Sequence, residues 1–218
     1  MQINEHNARD RAISNIFTKI LAINTASRKL LPISNVIHLI SFNAQIASAH
    51  AGENGKSLGV LTQEINELAP AVAEHIEEIT SKINDIAQYN ANCMNKARQQ
   101  EVFKRTETIL RREGRSIDQA AHRSEALSQE AQDSFQILAK QMRAIRPALK
   151  AIEDQAKATE MIGSLLRIEV AREQDAAMDS RAFMAMAEQM TSSCVQMKEI
   201  TEQCEAVLTE ALSLANGP

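Results

Sequence analysis

The chain has 218 residues and a formal net charge of −4, and only 3% of its residues are aromatic. Scarce aromatic residues, 6 glycines and 4 prolines disfavour sheet structure and favour long helices. No segment is strongly basic, so the sequence lacks the charge pattern of a nucleic-acid-binding protein.

The first element in chain order is a helix predicted over about residues 5–50. Along it, apolar and small residues follow one another at steps of three and four: Ile13, Ile16, Ile20, Ile23, Ser27, Leu30, Ser34 and Ile37. A sustained period of this kind is typical of a coiled-coil or bundle seam. No apolar run reaches the roughly 18 residues of a membrane span, and the N-terminus lacks the apolar region of a signal peptide. We therefore expect a cytoplasmic protein with no membrane span.

A glycine-rich segment follows this helix. Gly52, Gly55 and Gly59 lie within eight residues of one another and are half of all glycines in the chain. A turn between antiparallel helices needs a residue that tolerates a positive φ, which Gly52 or Gly55 supplies. Gly59 is predicted to let the next helix pack closely. The segment 50–57 is therefore predicted to be a hairpin turn.

Three more helices are predicted, over about 57–112, 116–173 and 181–214. Gly114 follows basic residues at the end of one helix, and Ser116, Asp179 and Ser180 are candidate N-caps. The chain then forms a first hairpin over about 5–112 and a second over about 116–214, whose turn lies at 173–183. The middle arms are nearly equal in length, which predicts an all-α, antiparallel four-helix bundle in one domain over 1–218.

Three residues inside the predicted helices can disturb them. Pro32 and Pro70 each remove a backbone hydrogen bond and are predicted to kink their helices. Gly163 weakens the third helix. All three lie at similar distances from a turn. They could therefore bend their helices at one shared level of the bundle, or they could be three isolated disturbances.

Residues 42–69, FNAQIASAHAGENGKSLGVLTQEINELA, resemble the signalling tip of methyl-accepting chemotaxis receptors. That tip has the form N-A-A-x-E-A-A-R-A-G-E-x-G-R-G-F-x-V-V-A-x-E-V-R-x-L-A. The positions that match it without a gap are Asn43, Ala44, Ala49, Ala51, Gly52, Glu53, Gly55, Val60, Glu64, Leu68 and Ala69. Lys56 conservatively replaces an arginine of the motif. The departures are Ala47, His50, Ser57 and Leu58.

The second turn resembles the same motif more weakly. Glu169 and Arg172 take the places of the motif's glutamate and first arginine, and Phe183 takes the place of its phenylalanine. About three extra residues lie between Arg172 and Phe183, and the glycines are absent. The resemblance predicts an internal duplication, in which one chain forms a monomeric pseudo-dimer of two hairpins. The alternative is a homodimer in which each hairpin pairs with another chain.

The resemblance implies a non-enzymatic signal-transduction module. In the family, the tip contacts a histidine kinase and an SH3-like coupling protein, and it packs against other receptors. The partner-binding candidates are Asn43, His50, Glu53, Asn54, Lys56, Val60, Glu64, Glu169, Arg172 and Phe183. The hairpin-turn candidates are Gly52, Gly55 and Gly59.

Two alternative functions are open, and the chemistry of the side chains limits others. The chain could be a structural or adaptor coiled coil without kinase coupling. It could also be a ligand sensor with a pocket in the bundle core, where small polar residues lie on the seams: Ser27, Ser34, Thr159 and Ser193. No histidine has a His or Cys partner four residues away, and no catalytic grouping is recognisable, so no metal, cofactor or catalytic residue is predicted.

Overall fold

The computed structural model describes residues 2–50, 56–113, 118–172 and 180–215, and every regular element within these ranges is an α-helix. The six helices are α1 (Gln2–Ser27), α2 (Leu30–His50), α3 (Lys56–Arg112), α4 (Asp118–Arg143), α5 (Arg146–Arg172) and α6 (Ser180–Ala215). The all-α prediction is confirmed. The residues that join α2 to α3, α3 to α4 and α5 to α6 lie outside the described ranges.

The first predicted helix is interrupted shortly before Pro32. α1 ends at Ser27 and α2 begins at Leu30, with a turn between them at Arg28 and Lys29. Proline has no N–H, so it cannot donate to the carbonyl of the residue four positions earlier, Arg28. That carbonyl instead accepts a hydrogen bond from the amide of Leu31 at 3.2 Å. Pro32 therefore disturbs its helix, as predicted.

The third predicted helix is interrupted before Pro147, which was not expected. α4 ends at Arg143 and α5 begins at Arg146. At this break the amide of Ala144 donates to the carbonyls of Lys140 and Gln141 at 3.2 and 3.1 Å, and the amide of Ile145 donates to Met142 at 3.1 Å. At this break, amides donate to the carbonyl three residues earlier in addition to or in place of the carbonyl four residues earlier, as they do at helix ends.

The predicted disturbances at Pro70 and Gly163 do not interrupt any helix. α3 continues through Pro70, and α5 continues through Gly163. Next to Pro70, the Ala69 carbonyl accepts a buried hydrogen bond from the Ser34 hydroxyl at 2.9 Å. α2 therefore packs directly against α3 beside Pro70, and α3 stays helical through it.

One compact unit contains residues 24–80 and 146–205, and therefore the arms on both sides of both turns. In the first hairpin, Ser41 on α2 donates to Oδ1 of Asn66 on α3 at 3.1 Å. In the second, Nζ of Lys198 on α6 lies 2.6 Å from Oε2 of Glu160 on α5. Each pair joins consecutive helices that run in opposite directions, so the described arms form two antiparallel hairpins.

The interior of this unit follows the predicted seams. Buried apolar residues recur at steps of three and four along all four arms, including Ile33, Ile37, Ile40, Ile65, Leu68, Val72, Ile152, Leu166, Phe183, Met190 and Met197. Full burial of one such side chain contributes about 1.5–3 kcal/mol. The seam pattern therefore accounts for the stability of the arms beside the turns.

The other compact unit contains residues 1–23, 81–145 and 206–218. Lys19 on α1 pairs with Glu210 on α6, and Nζ of Lys96 on α3 lies 3.4 Å from Oε2 of Glu130 on α4. Its core contains Ile16, Ile86, Leu138 and Met142 together with buried polar side chains: Asn90, Gln100 and Ser134. The division into one domain over 1–218 stays a prediction.

Candidate functional site

The first candidate site is formed by the arms beside the first turn. α2 ends at His50, and α3 begins at Lys56. The two arms are in contact here, because a Cβ atom added to Gly59 would lie 3.4 Å from Oγ of Ser48. This distance is ordinary van der Waals contact, so the closer packing predicted for Gly59 stays a prediction. Gly52 and Gly55 lie outside the described residues.

The predicted contact residues of the first turn that the structure describes lie at the surface. The side chains of Asn43, His50 and Glu64 are exposed, and Val60 is 63% exposed. Lys56 is the first residue of α3, but its side chain lies outside the described part of the structure. Glu53 and Asn54 also fall outside it. The roles of all these residues stay predictions.

An apolar surface on α2 was missed by the sequence analysis. Leu39, Phe42 and Ile46 are 60%, 58% and 46% exposed, and they follow one another at steps of three and four residues. We call these three residues the α2 stripe. It lies opposite the buried seam, so α2 is apolar on two faces. That double periodicity was visible in the sequence and could have revealed the stripe. Exposed apolar clusters of this kind often mark protein-interaction surfaces.

The second candidate site lies on the arms beside the second turn. Arg172 ends α5, and its Nη1 atom lies 3.2 Å from Oε2 of Glu169. The Arg172 side chain is 74% exposed, whereas that of Glu169 is only 16% exposed. A basic residue in the last turn also interacts favourably with the helix dipole. The two residues predicted from the motif are therefore in contact with each other.

Phe183 differs from the sequence-based expectation. It lies near the start of α6 and is 0% exposed, so its side chain packs in the interior and offers no surface to a partner in this structure. The physical reason is that its position continues the buried seam of α6 toward Met186 and Met190. A role in positioning the second turn fits this burial better than direct contact.

The two hairpins have the same register about their turns. On α2 the buried positions 30, 34, 37, 40, 41 and 44 correspond to 152, 156, 159, 162, 163 and 166 on α5. Ser41 contacts Asn66 across the first hairpin, and the equivalent Gly163 faces Met190, Ala187 and Thr191 across the second.

The exposed apolar residues repeat between the hairpins as well. Met161 and Ile168 on α5 are 60% and 57% exposed, and they lie at the positions equivalent to Leu39 and Ile46. The position equivalent to Phe42 is occupied by Ser164, which is exposed and donates to the Glu160 carbonyl at 3.0 Å. The two outer faces are thus related but not identical.

The cysteine side chains are suited to packing rather than to chemistry. Cys93, Cys194 and Cys204 form no disulfide and are buried. Burial raises the pKa of Cys204 to about 11, and it also raises the pKa of Cys93 and of Cys194. A thiol with a raised pKa is protonated at neutral pH and is a poor nucleophile. These residues are therefore core packing groups.

Three of the four small polar residues on the seams donate hydrogen bonds within the protein: Ser27, Ser34 and Thr159. The hydroxyls of Ser27, Ser34 and Thr159 donate to the carbonyls of Asn24, Ala69 and Gln155 at 3.1, 2.9 and 2.8 Å. Because these donors already have acceptors, they do not require a ligand. In the described part of the chain, no group of three His, Cys, Asp or Glu side chains is placed to hold a metal ion.

The stretch Arg11–His50 is long and apolar enough, by length and composition, to cross a membrane. This finding differs from the expectation that no segment would meet that criterion. The core helix of a soluble bundle passes the same test, and 39% of the most apolar window is buried inside the protein. Ile16, Ile20 and Ile37 on this stretch are fully buried. The stretch alone is weak evidence for a membrane span.

Comparison with known proteins supports a chemoreceptor-like domain. The chain is 33% identical over 82 residues to methyl-accepting chemotaxis protein HlyB of Vibrio cholerae, which covers 38% of the chain. It is 35% identical over 66 residues to YvaQ of Bacillus subtilis, a protein named as a sensory transducer, which covers 30% of the chain. It is 33% identical over 82 residues to methyl-accepting chemotaxis protein I of Escherichia coli, which covers 34%.

These matches cover only a small part of the relatives. The matched segments span 15%, 12% and 15% of the three proteins. No protein-family model matches the chain. The similarity therefore supports a helical transducer-type domain, in agreement with the all-helical structure, and leaves sensing and output to be proposed.

Proposed function

We propose that this chain is a non-enzymatic, cytoplasmic signal-transduction module of the chemoreceptor type, which binds partner proteins through the arms beside its first turn. The α2 stripe is the observation that carries this proposal. It places three large apolar side chains on the surface of the arm that also bears Asn43 and leads into the chemoreceptor-like turn. In a protein without a partner, such side chains would remain in contact with water.

The surroundings of the stripe resemble those of a protein–protein interface. Interfaces combine an apolar centre with a polar rim, and a few large residues supply most of the binding energy. Here Phe42 is the largest residue of the apolar centre, and the exposed polar residues Asn43 and Glu64 lie on the same two arms. We expect Phe42 to be the main anchor and the polar residues to set orientation.

The partner class follows from the similarity to chemotaxis transducers. We propose a chemotaxis-type histidine kinase, its SH3-like coupling protein or another chemoreceptor as the partner. Ala47 and His50 replace charged residues of the family motif on this arm. Because those charges are missing, binding should depend on apolar contact more than on ion pairing.

We also propose that the two hairpins arose by internal duplication and pair within one chain. The shared burial register of α2 and α5 and the equivalent exposed apolar residues on their outer faces support this proposal. A heptad seam alone would repeat the spacing of the buried residues. It would not by itself place Met161 and Ile168 where Leu39 and Ile46 lie.

The proposed contact is tested by titrating the chain with a purified chemotaxis coupling protein in a calorimeter. We expect micromolar binding, and we expect Phe42→Glu to weaken it by roughly tenfold or more because a charge would be buried at the anchor. Ile109→Glu is the matched control, since Ile109 is 55% exposed on α3 and lies in the other compact unit.

Two results would contradict the proposal. Wild-type protein that shows no binding at micromolar concentration would exclude this partner and favour a structural or adaptor coiled coil without kinase coupling. Equal weakening by Phe42→Glu and Ile109→Glu would show that the α2 stripe is not the contact surface. Circular dichroism of both variants checks that the helices are intact.

A further inference from the structure

The two interruptions before Pro32 and Pro147 share several features. Each lies on the arm that leads toward a turn, α1–α2 in the first hairpin and α4–α5 in the second. In each, hydrogen bonds from amides to carbonyls three residues earlier replace part of the regular helical ladder. The returning arms α3 and α6 are continuous over Lys56–Arg112 and Ser180–Ala215.

The start of α5 contacts α6. Nε of Arg146, the first residue of α5, lies 2.6 Å from Oε1 of Glu205. The neighbouring residue Cys204 is buried, and its pKa, although raised by burial, is partly lowered by the charge of Lys29, which immediately precedes α2. The charge of Lys29 is therefore close enough to act on the same part of α6.

Each break also has a buried amide oxygen without a hydrogen-bond partner. Oδ1 of Asn24 lies four residues before the first break, and Oε1 of Gln141 lies three residues before the second. The main-chain carbonyls of the same two residues accept hydrogen bonds at the breaks. The other buried side-chain atoms without partners in the described ranges are on α3: those of His75, Asn90 and Gln100.

These unpartnered oxygens destabilise the closed arrangement of the backbone at the two breaks. A buried acceptor without a donor costs free energy that is recovered when water or a rearranged backbone reaches it. The local hydrogen-bond ladder is already weakened there, because proline supplies no N–H and clashes with the preceding turn. Opening a break therefore removes the free-energy cost of the unpartnered oxygen, a cost that the rest of the same helix does not carry.

We propose that the breaks at Arg28–Lys29 and Ala144–Ile145 are two bending points, one in each hairpin. The returning helices α3 and α6 have no such break. Bending redirects the two arms that lead into the turns, including the arm that carries the α2 stripe. The Arg146–Glu205 ion pair restrains the second bending point.

The two bending points are not copies of each other within the repeated register. Under the equivalence of α2 and α5, Pro32 corresponds to Asp154 and Pro147 corresponds to Thr25. A proline therefore lies at a different position on each arm, seven residues apart in the shared register. This arrangement is expected if bending near each break is useful to the molecule, and it is not a remnant of duplication.

Hydrogen–deuterium exchange of the full chain tests the proposal at the level of single amides. We expect the amides of Lys29, Leu31, Ala144 and Ile145 to exchange at least roughly tenfold faster than that of Ile37 in the middle of α2. Pro32→Ala with Pro147→Ala restores both helical donors and should slow those amides by roughly tenfold. Pro70→Ala, in the continuous helix α3, is the matched control and should leave them unchanged.

A milder variant keeps the test informative if the double substitution impairs folding. Glu205→Gln removes the charge that faces Arg146 and should speed exchange at Ala144 and Ile145 several-fold without affecting Leu31. The proposal is overturned if the amides at the breaks exchange as slowly as Ile37 in the wild-type chain. It is also overturned if Glu205→Gln accelerates exchange equally throughout α2 and α5, since that would be general loosening.

Discussion

At the scale of single residues, the chain uses small and polar groups mainly for packing. Buried serine and threonine hydroxyls bond to main-chain carbonyls within their own hairpin, and the cysteines behave as small apolar groups. The exposed charges form pairs along helix surfaces, such as Lys157 with Glu153 at 2.6 Å. Pairs of this kind contribute little stability because water screens them. No described side chain is arranged for covalent chemistry.

The thiols should be unreactive in the folded protein. Because burial raises the pKa of Cys204 to about 11, only about one thiol in a thousand would be ionised at pH 8 even if reagent reached it. We expect a disulfide reagent at pH 8 to modify fewer than one thiol per folded chain within minutes. In guanidinium chloride the same assay should detect all 3 cysteines. Rapid modification of the folded chain would contradict the assigned burial.

At the scale of secondary-structure elements, two glycines set how closely neighbouring helices approach. A Cβ atom on Gly163 would lie 3.3 Å from Cβ of Met190 and 3.4 Å from the carbonyl oxygen of Ala187. The carbonyl belongs to the backbone of α6 and cannot rotate away. At Gly59 the nearest atom is the Ser48 hydroxyl oxygen at 3.4 Å, which is ordinary contact.

Substitutions at these glycines should have opposite effects on stability. Gly163→Val overpacks the contact between α5 and α6 and should lower the free energy of unfolding by about 1–3 kcal/mol. Gly59→Ala fits the available space and should raise it by about 0.5–1 kcal/mol, because alanine loses less backbone entropy than glycine in a helix. Urea denaturation followed by circular dichroism measures both. Destabilisation by Gly59→Ala would show that the tip arms are closer than described.

At the scale of the whole molecule, two hairpins with the same register lie in one chain. In a homodimer, both hairpins would have identical sequences, and any change at one turn would appear at the other. Here the first hairpin retains the glycines of the turn and an exposed phenylalanine, whereas the second retains a glutamate–arginine pair and a buried phenylalanine. Under the proposed duplication, the two outer faces could specialise independently.

The mass in solution distinguishes pairing within the chain from pairing between chains. We expect sedimentation equilibrium at low micromolar concentration to report a monomer near 24.1 kDa. In the proposed pseudo-dimer, the two hairpins of one chain bury their seams on each other, so a second chain is not needed to cover the core. A stable species of twice that mass would support the homodimer instead, and Leu39→Glu would then test whether the α2 stripe joins the two copies.

The sequence by itself determined the helical class, the seams and the positions of the turns. Apolar residues that recur every three and four positions form one buried face on each helix. The two middle arms are nearly equal in length, so the second arm brings the chain back to the end where the first arm began. It also determined the resemblance of residues 42–69 to a chemoreceptor tip, since that motif is local and contiguous. The burial of Ile37 and Met190 follows from spacing alone.

Only the tertiary structure decided which irregular residues matter. Pro32 and Pro147 lie beside interruptions of their helices, while α3 continues through Pro70. Exposure of Phe42 and burial of Phe183 likewise depend on which helix faces are covered by other helices. A local pattern cannot specify these outcomes, since burial and hydrogen-bond partners come from residues that are distant in the chain and close in space.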